Sequence, residues 1–239
     1  MADNPPLIEL SIEELLERIK NNMEGSDTDE KYNVKQQKVK DSLKNWQKIL
    51  ESQGSIFLGD KMTIYLFGVS NVGKTTTGKL LSEKLGYVFY DMDEEVKRYF
   101  GITLEEFVNT GTLEDRDRKR SEVLCRIVLD KHDKVIAVTP ISYMNYFYKF
   151  LKYKNVLAIE LCDTPENIFD RLVFSDENDV VYSDDEYKYA HRHYYLKEIK
   201  KDIEYYSNYS FRIVRNKFEM NGDNPETVVN RLINEYGLL

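Results

Sequence analysis

Two cysteines in 239 residues, Cys125 and Cys162, are too few for a disulfide framework or a thiolate zinc site. Both sit in apolar helix or strand patterns and read as buried thiols of a reducing compartment. Basic charge is in deficit: 34 Lys and Arg face 42 Asp and Glu, a formal net charge of −8. A nucleic-acid binder needs a cationic face to displace counterions, so no nucleic-acid partner is expected. No apolar run approaches the roughly 20 residues of a bilayer span. No membrane role is expected either. The opening Met1-Ala2-Asp3-Asn4-Pro5-Pro6 has neither the basic cluster nor the apolar core of a secretory signal, and a cytoplasmic location is expected. Prolines number only five, and two of them start helices. In Thr164-Pro165 and Asn224-Pro225 a capping residue precedes Pro at the first helical position.

Composition divides the chain into two parts. Residues 1–58 carry no strand pattern and are expected to form a helical extension of two amphipathic helices. Ser11-Ile12-Glu13-Glu14 is a capping-box start, followed by Ile12, Leu15, Leu16, Ile19 and Met23 at helical spacing. A polar linker over residues 25–30 precedes a second stripe of Val39, Leu43, Trp46, Ile49 and Leu50. Two such stripes must bury themselves on each other, on the main domain, or on a partner, a second copy of the chain included.

Residues 59–239 are expected to form one α/β domain. Strand patterns at Ile64–Phe67, Tyr87–Tyr90, Val135–Thr139, Val156–Leu161 and Phe211–Val214 alternate with helical ones. The helices are expected at 75–85, 94–100, 104–109, 113–130, 142–151, 165–173, 185–206 and 225–236. Near-continuous apolar strands separated by helices imply a five-stranded parallel sheet between two helical layers, a three-layer α/β/α fold.

Gly68-Val69-Ser70-Asn71-Val72-Gly73-Lys74-Thr75 completes the spacing G-x-x-x-x-G-K-[ST] between a strand and a helix. Consecutive backbone N–H groups from Gly68, Asn71, Val72, Gly73 and Thr76 can form an anion nest at the positive end of the helix. Lys74 supplies a point charge to the outer phosphates, and the Thr75 hydroxyl a ligand for Mg²⁺. A nucleoside triphosphate is the expected ligand. After the second strand stand Asp91 and Asp93, two residues apart at a strand end and so able to face one crevice. Asp91 suits the magnesium shell and Asp93 a substrate hydroxyl, unless Asp93 only caps the helix starting at Glu94.

With this order of phosphate loop, helix, strand and Asp-x-Asp, the chain resembles the shikimate kinases, ATP-dependent P-loop kinases of the nucleoside-monophosphate-kinase-like fold. The matching run is Gly68–Thr75, Gly78, Leu80, Leu81, Lys84-Leu85-Gly86, Phe89, Asp91 and Asp93, continuing through Gly101-Ile102-Thr103 and Phe107–Gly111. The resemblance implies ATP and Mg²⁺ as cofactors and a small hydroxylated substrate. It implies that Lys74 and Thr75 serve the phosphates and metal, and that Asp93 holds shikimate hydroxyls. Arg171 looks like the arginine that lies on the adenine, and Pro225 like the proline near its other face.

Three departures stand beside the match. Where the family reads Gly-Glu-x-x-Phe-Arg-x-x-Glu, its arginine gripping the shikimate carboxylate, this chain reads Gly111-Thr112-Leu113-Glu114-Asp115-Arg116-Asp117-Arg118-Lys119. Arg116 is in register from the glycine, and Arg118 when counting back from the next strand. A Gly-rich turn is replaced by Thr139-Pro140-Ile141, which removes a donor and adds bulk. The lid segment 174–186 has no cation, and Lys201 stands where another substrate arginine is expected.

The leading expectation is a kinase acting on a hydroxyl of a small metabolite, with shikimate the first named acceptor. Lys74, Asp93 and an arginine of the 116–120 run (Arg116 by register), or Arg192, would carry the chemistry. A nucleotide-binding protein that has lost turnover, its N-terminal helices binding a partner, is the alternative, with a nucleoside kinase third.

Overall fold

A computed structural model describes residues 61–140, 151, 155–174 and 185–239. The helices expected in residues 1–58 lie outside these, as do the one expected at 142–151, except for its last residue, and most of the 174–186 segment. The described residues all fall within one compact unit, Lys61–Leu239.

Five strands form one wholly parallel sheet: β1 (Thr63–Phe67), β2 (Val88–Asp91), β3 (Lys134–Ala137), β4 (Val156–Cys162) and β5 (Asn216–Glu219). Their spatial order is β2-β3-β1-β4-β5. The helices are α1 (Lys74–Leu85), α2 (Met92–Phe100), α3 (Leu104–Val108), α4 (Leu113–Val128), α5 (Pro165–Asp170), α6 (Glu186–Ala190), α7 (Arg192–Tyr205) and α8 (Pro225–Tyr236). None of the described helices is long and apolar enough to cross a membrane.

All five residues of β1 are buried, which requires cover on both faces of the sheet. Ile64, Leu66, Val135, Ile159, Leu161 and Phe218 share one face and pack with Leu81 of α1 and Val228, Val229 and Leu232 of α8. Truncating a fully buried leucine such as Leu81 to alanine costs about 2–5 kcal/mol. On the other face Tyr65, Phe67 and Ile136 are equally buried, and the Phe67 ring lies 5.7 Å from that of Phe211. Central β1 has β3 on one side and β4 on the other, so the loop leaving its carboxyl end opens where the connections diverge.

Two elements differ from the sequence reading. The fifth strand is Asn216–Glu219, not Phe211–Val214. Phe211 and Val214 are buried in a turn, with Phe211 stacked on Tyr206. Their apolar character reports packing beneath the sheet rather than strand pairing. The true strand is an edge with only Phe218 buried, so it has almost no hydrophobic signature. The expected helix at 185–206 is interrupted at His191 and closes in a wide turn, Tyr206–Ser210.

Candidate functional site

The loop Gly68–Gly73 leaves the carboxyl end of β1 and turns directly into α1. At Gly68 the backbone has φ +143°, and a Cβ there would stand 2.8 Å from both Leu161 O and Val72 Cγ1, so only glycine fits. Gly73 caps α1 without a side chain, leaving the first-turn N–H groups free of any side-chain cap. Lys74 Nζ donates to Gly68 O at 3.0 Å and Val69 O at 2.8 Å, which draws the ammonium back over its own loop. Burial of the ammonium lowers its pKa to about 8, against the opposing pull of Asp93 and Asp91.

Alpha-helix α1 is held close to β2, because a Cβ on Gly78 would stand 2.4 Å from the Phe89 ring. That approach brings Thr75 to the end of β2, where its Oγ1 donates to Asp91 Oδ2 at 2.6 Å. The other oxygen, Asp91 Oδ1, accepts from Asp93 N at 3.0 Å and caps α2. Helix capping therefore falls to Asp91, and the reading of Asp93 as a mere cap is corrected. Asp93 Oδ1 instead accepts from Thr139 Oγ1 at 2.7 Å, from the loop after β3. Burial pushes the Asp93 carboxyl above the usual carboxylate range, with Asp91 adding to the rise. The Thr139 hydrogen bond, Arg120 and Lys74 pull the other way without cancelling it. Thr139, which the sequence marked only as a departure, is thus the second anchor of Asp93.

Asp163, a side chain with no exposure at the end of β4, was missed by the sequence reading. It accepts from Arg171 Nη2, Asn167 Nδ2 (2.7 Å), Thr164 N (2.8 Å) and Gly222 N (3.3 Å). Burial would raise its pKa, but these donors, Arg171 first, hold it below the usual range. Arg171 Nη1 in turn donates to Val72 O at 3.1 Å, tying the arginine to the phosphate loop. Pro225 opens α8 behind the Asn224 cap, just past the Gly222 turn that meets Asp163. An acid directly after an apolar strand and before Thr-Pro was the available signal.

The basic run on α4 sorts by helical phase. Asp117, Arg120, Ser121 and Leu124 face inward and are buried. Arg116 points away, its Nη1 donating to Gly111 O at 3.1 Å. Arg118 is taken by acids on its own helix, Asp115 at 3.3 Å and Glu122 at 3.9 Å. The arginine whose charge acts on Asp93 is Arg120, paired with Asp117 at 3.0 Å and set 5.0 Å from the centre of the Phe107 ring. Neither register argument reached it; the spacing 117, 120, 121, 124 would have. Lys201 lies on an exposed face of α7, paired with Glu198 at 2.6 Å, and is not brought to this group.

Thr75, Asp91, Asp93, Thr139 and Lys74 thus converge at the carboxyl edge of the sheet, beside a bare helix N-terminus. Among the described residues no cluster of three or more His, Cys, Asp or Glu could hold a metal. The hard oxygens of Thr75 and Asp91 fit a Mg²⁺ ion that takes only one or two protein groups and completes its shell with water and phosphate.

Comparison with known proteins agrees with this arrangement. The shikimate kinase family model matches residues 70–236. A shikimate kinase of Thermodesulfovibrio yellowstonii is 37% identical over 75 residues, 31% of this chain and 42% of that protein. Shikimate kinase 3, chloroplastic, of Oryza sativa subsp. japonica is 49% identical over 47 residues, 20% of this chain and 16% of that one. The matched stretches thus span less than half the length of these curated relatives. Among solved structures, shikimate kinase from Bacteroides thetaiotaomicron superposes with a TM-score of 0.57 at 22% identity, covering 74% of this chain and 98% of that one. The enzyme from Acinetobacter baumannii in complex with shikimate gives 0.55 at 23%, covering 76% and 98%. At that identity the likeness establishes the P-loop kinase fold, and the family model goes further: this chain belongs to the shikimate kinase family.

Proposed function

We propose that the protein is an ATP- and Mg²⁺-dependent kinase that phosphorylates a hydroxyl of shikimate. The observation carrying this reading is Asp93, buried, raised in pKa and anchored by Thr139, across from a phosphate loop with its lysine in place. A binding protein without turnover has no need of that carboxylate, and its desolvation is a standing cost. The membership of the family and the names of the relatives point to the same acceptor.

In this reading the loop amides and the first turn of α1 hold the β- and γ-phosphates. Lys74 offsets charge as it develops on the migrating group. Bound Mg²⁺ would neutralise phosphate oxygens, held by Thr75 with Asp91 behind it. Arg171 and Pro225 would flank the base, Arg171 fixed by Asp163. Asp93 orients the acceptor hydroxyl and takes its proton as the new O–P bond forms and the bond to the ADP oxygen breaks. Arg116, Arg118 and Lys201 contribute at most at long range.

The test is ADP release over a panel of shikimate, other hydroxy acids, neutral polyols and nucleosides. Acceptor-dependent turnover with the highest kcat/KM for shikimate is expected. Tight ATP binding with no acceptor-dependent turnover would return the protein to the non-catalytic alternative.

A further inference from the structure

A peptide unit is planar, so a carbonyl held on one side turns the N–H that follows it to the other. In the phosphate loop the Val72 carbonyl is held in this way. Arg171 Nη1 donates to it at 3.1 Å, from 99 residues away in the chain. The Val72 side chain is fully buried, with Cγ1 beside Gly68, which restrains the same unit from its other end. The N–H that follows is that of Gly73, at the mouth of α1, and among the described residues no backbone carbonyl accepts from it. The Val72 N–H, by contrast, is spent on Val69 O at 3.4 Å. Arg171 is itself immobilised. Its Nη2 donates to Asp163, whose side chain has no exposure and whose oxygens also take Asn167 Nδ2, Thr164 N and Gly222 N. Both Nη atoms are thus engaged within the protein, in the plane of the guanidinium, which leaves its flat face for a base.

We propose that Arg171 is a positioning residue for the phosphates: fastened by Asp163, it sets the Val72–Gly73 peptide so that the Gly73 N–H faces the bound polyphosphate. The inference rests on the nucleotide-binding reading and assigns Arg171 a second role beside flanking the base. An amide already oriented donates to the anion without first losing backbone freedom, and a hydrogen bond to an anion is among the stronger ones. Geometry and charge predict opposite signs at Asp163. Removing the acid makes the neighbourhood more positive, so charge alone would tighten polyphosphate binding, whereas release of Arg171 weakens it.

Calorimetry compares magnesium tripolyphosphate, which carries no base, with magnesium ATP for wild type, Asp163→Ala, Asp163→Asn and Arg171→Met. Asp163→Ala is expected to weaken tripolyphosphate binding about 5- to 20-fold, a part of the worth of a hydrogen bond to a charged group, and ATP at least as much. Arg171→Met is expected to weaken tripolyphosphate by as much or more. Asp163→Asn retains one acceptor oxygen and is expected to lose less, in the same direction. A second readout follows the amide itself by nuclear magnetic resonance of isotope-labelled protein. The Gly73 amide signal is expected to move downfield when tripolyphosphate binds wild type, and less than half as far in Asp163→Ala and Arg171→Met. The Thr76 amide, oriented by the helix rather than by Arg171, is expected to move as in wild type.

Tripolyphosphate affinity unchanged or tightened in Asp163→Ala would overturn the inference, as would a Gly73 shift equal to that of wild type. A loss confined to ATP would overturn it too, leaving Arg171 with the base alone. Should Asp163→Ala or Arg171→Met fail to unfold cooperatively on heating, Asp163→Asn carries the same expectation against the same charge argument. Wild type that binds neither ligand overturns the nucleotide reading instead, before any variant is compared.

Discussion

The phosphate side and the acceptor side of this crevice are built in different ways. On the phosphate side the working groups are neighbours in sequence. Gly68 to Thr75 form one loop and one helix start, and Lys74 reaches carbonyls only five and six residues back. On the acceptor side they come from distant segments: Asp93 meets Thr139 across 46 residues, and Arg120 acts from a helix of its own. Local chemistry is transferable between proteins because the backbone alone enforces it. A pocket assembled from several elements can be rebuilt residue by residue while its order in the chain stays the same.

The sharpest way to test the contrast is to strike the local half. Lys74→Ala is expected to cut kcat/KM for ATP by about 10³-fold or more, while circular dichroism shows an unchanged fold. The pH response has a defined sign. Folded Lys74 gives up its proton near pH 8, below the ordinary value of 10.5, so its buried charge costs stability below about pH 8 and the cost is relieved as pH rises. ATP affinity of the free wild type is expected to weaken as pH rises past about 8, and calorimetry on Lys74→Ala should show no such step. Retained turnover in the variant would undo the assignment.

Asp93→Asn is expected to act next most strongly, lowering kcat by about 10²- to 10⁴-fold. Its stability effect runs the opposite way. The folded carboxyl holds its proton to higher pH than the unfolded one, so stability falls as pH rises through that window and the cost is complete above it. Asparagine keeps an oxygen for Thr139 and carries no charge. Its melting temperature at pH 7 is expected to exceed that of wild type by a few degrees. A drop would mean that the carboxylate is a structural support.

The smallest effects are expected where register placed substrate contacts and the structure places Arg116 on a loop carbonyl and Lys201 in a solvent-facing ion pair. Arg116→Ala and Lys201→Ala should change kcat/KM for shikimate by less than about fivefold, the limit for exposed pairs worth up to ~1 kcal/mol. A hundredfold loss in either would erase the distinction drawn here between the two halves of the crevice.

Sequence patterns carried unequal information. The phosphate loop, the first four strands and the Pro-initiated helices α5 and α8 were legible because each rests on a short-range rule: loop spacing, a buried apolar run, a cap followed by proline. The edge strand Asn216–Glu219 was not, since only Phe218 is buried and its neighbours face solvent. Thr139 was visible as an anomaly but not as a partner, because nothing in the chain order says that β3 lies beside β2. Arg120 was hidden among four cations in five residues, and helical phase rather than register singles it out.

From the chain alone came the phosphate-loop spacing, an aspartate pair at the next strand end and an alternating α/β order, all of which follow from interactions within a few residues. Tertiary structure decided which aspartate caps a helix and which is buried against Thr139, which arginine turns inward, and what anchors Arg171. Those choices depend on desolvation and on partners from other elements, and both exist only once the sheet has formed.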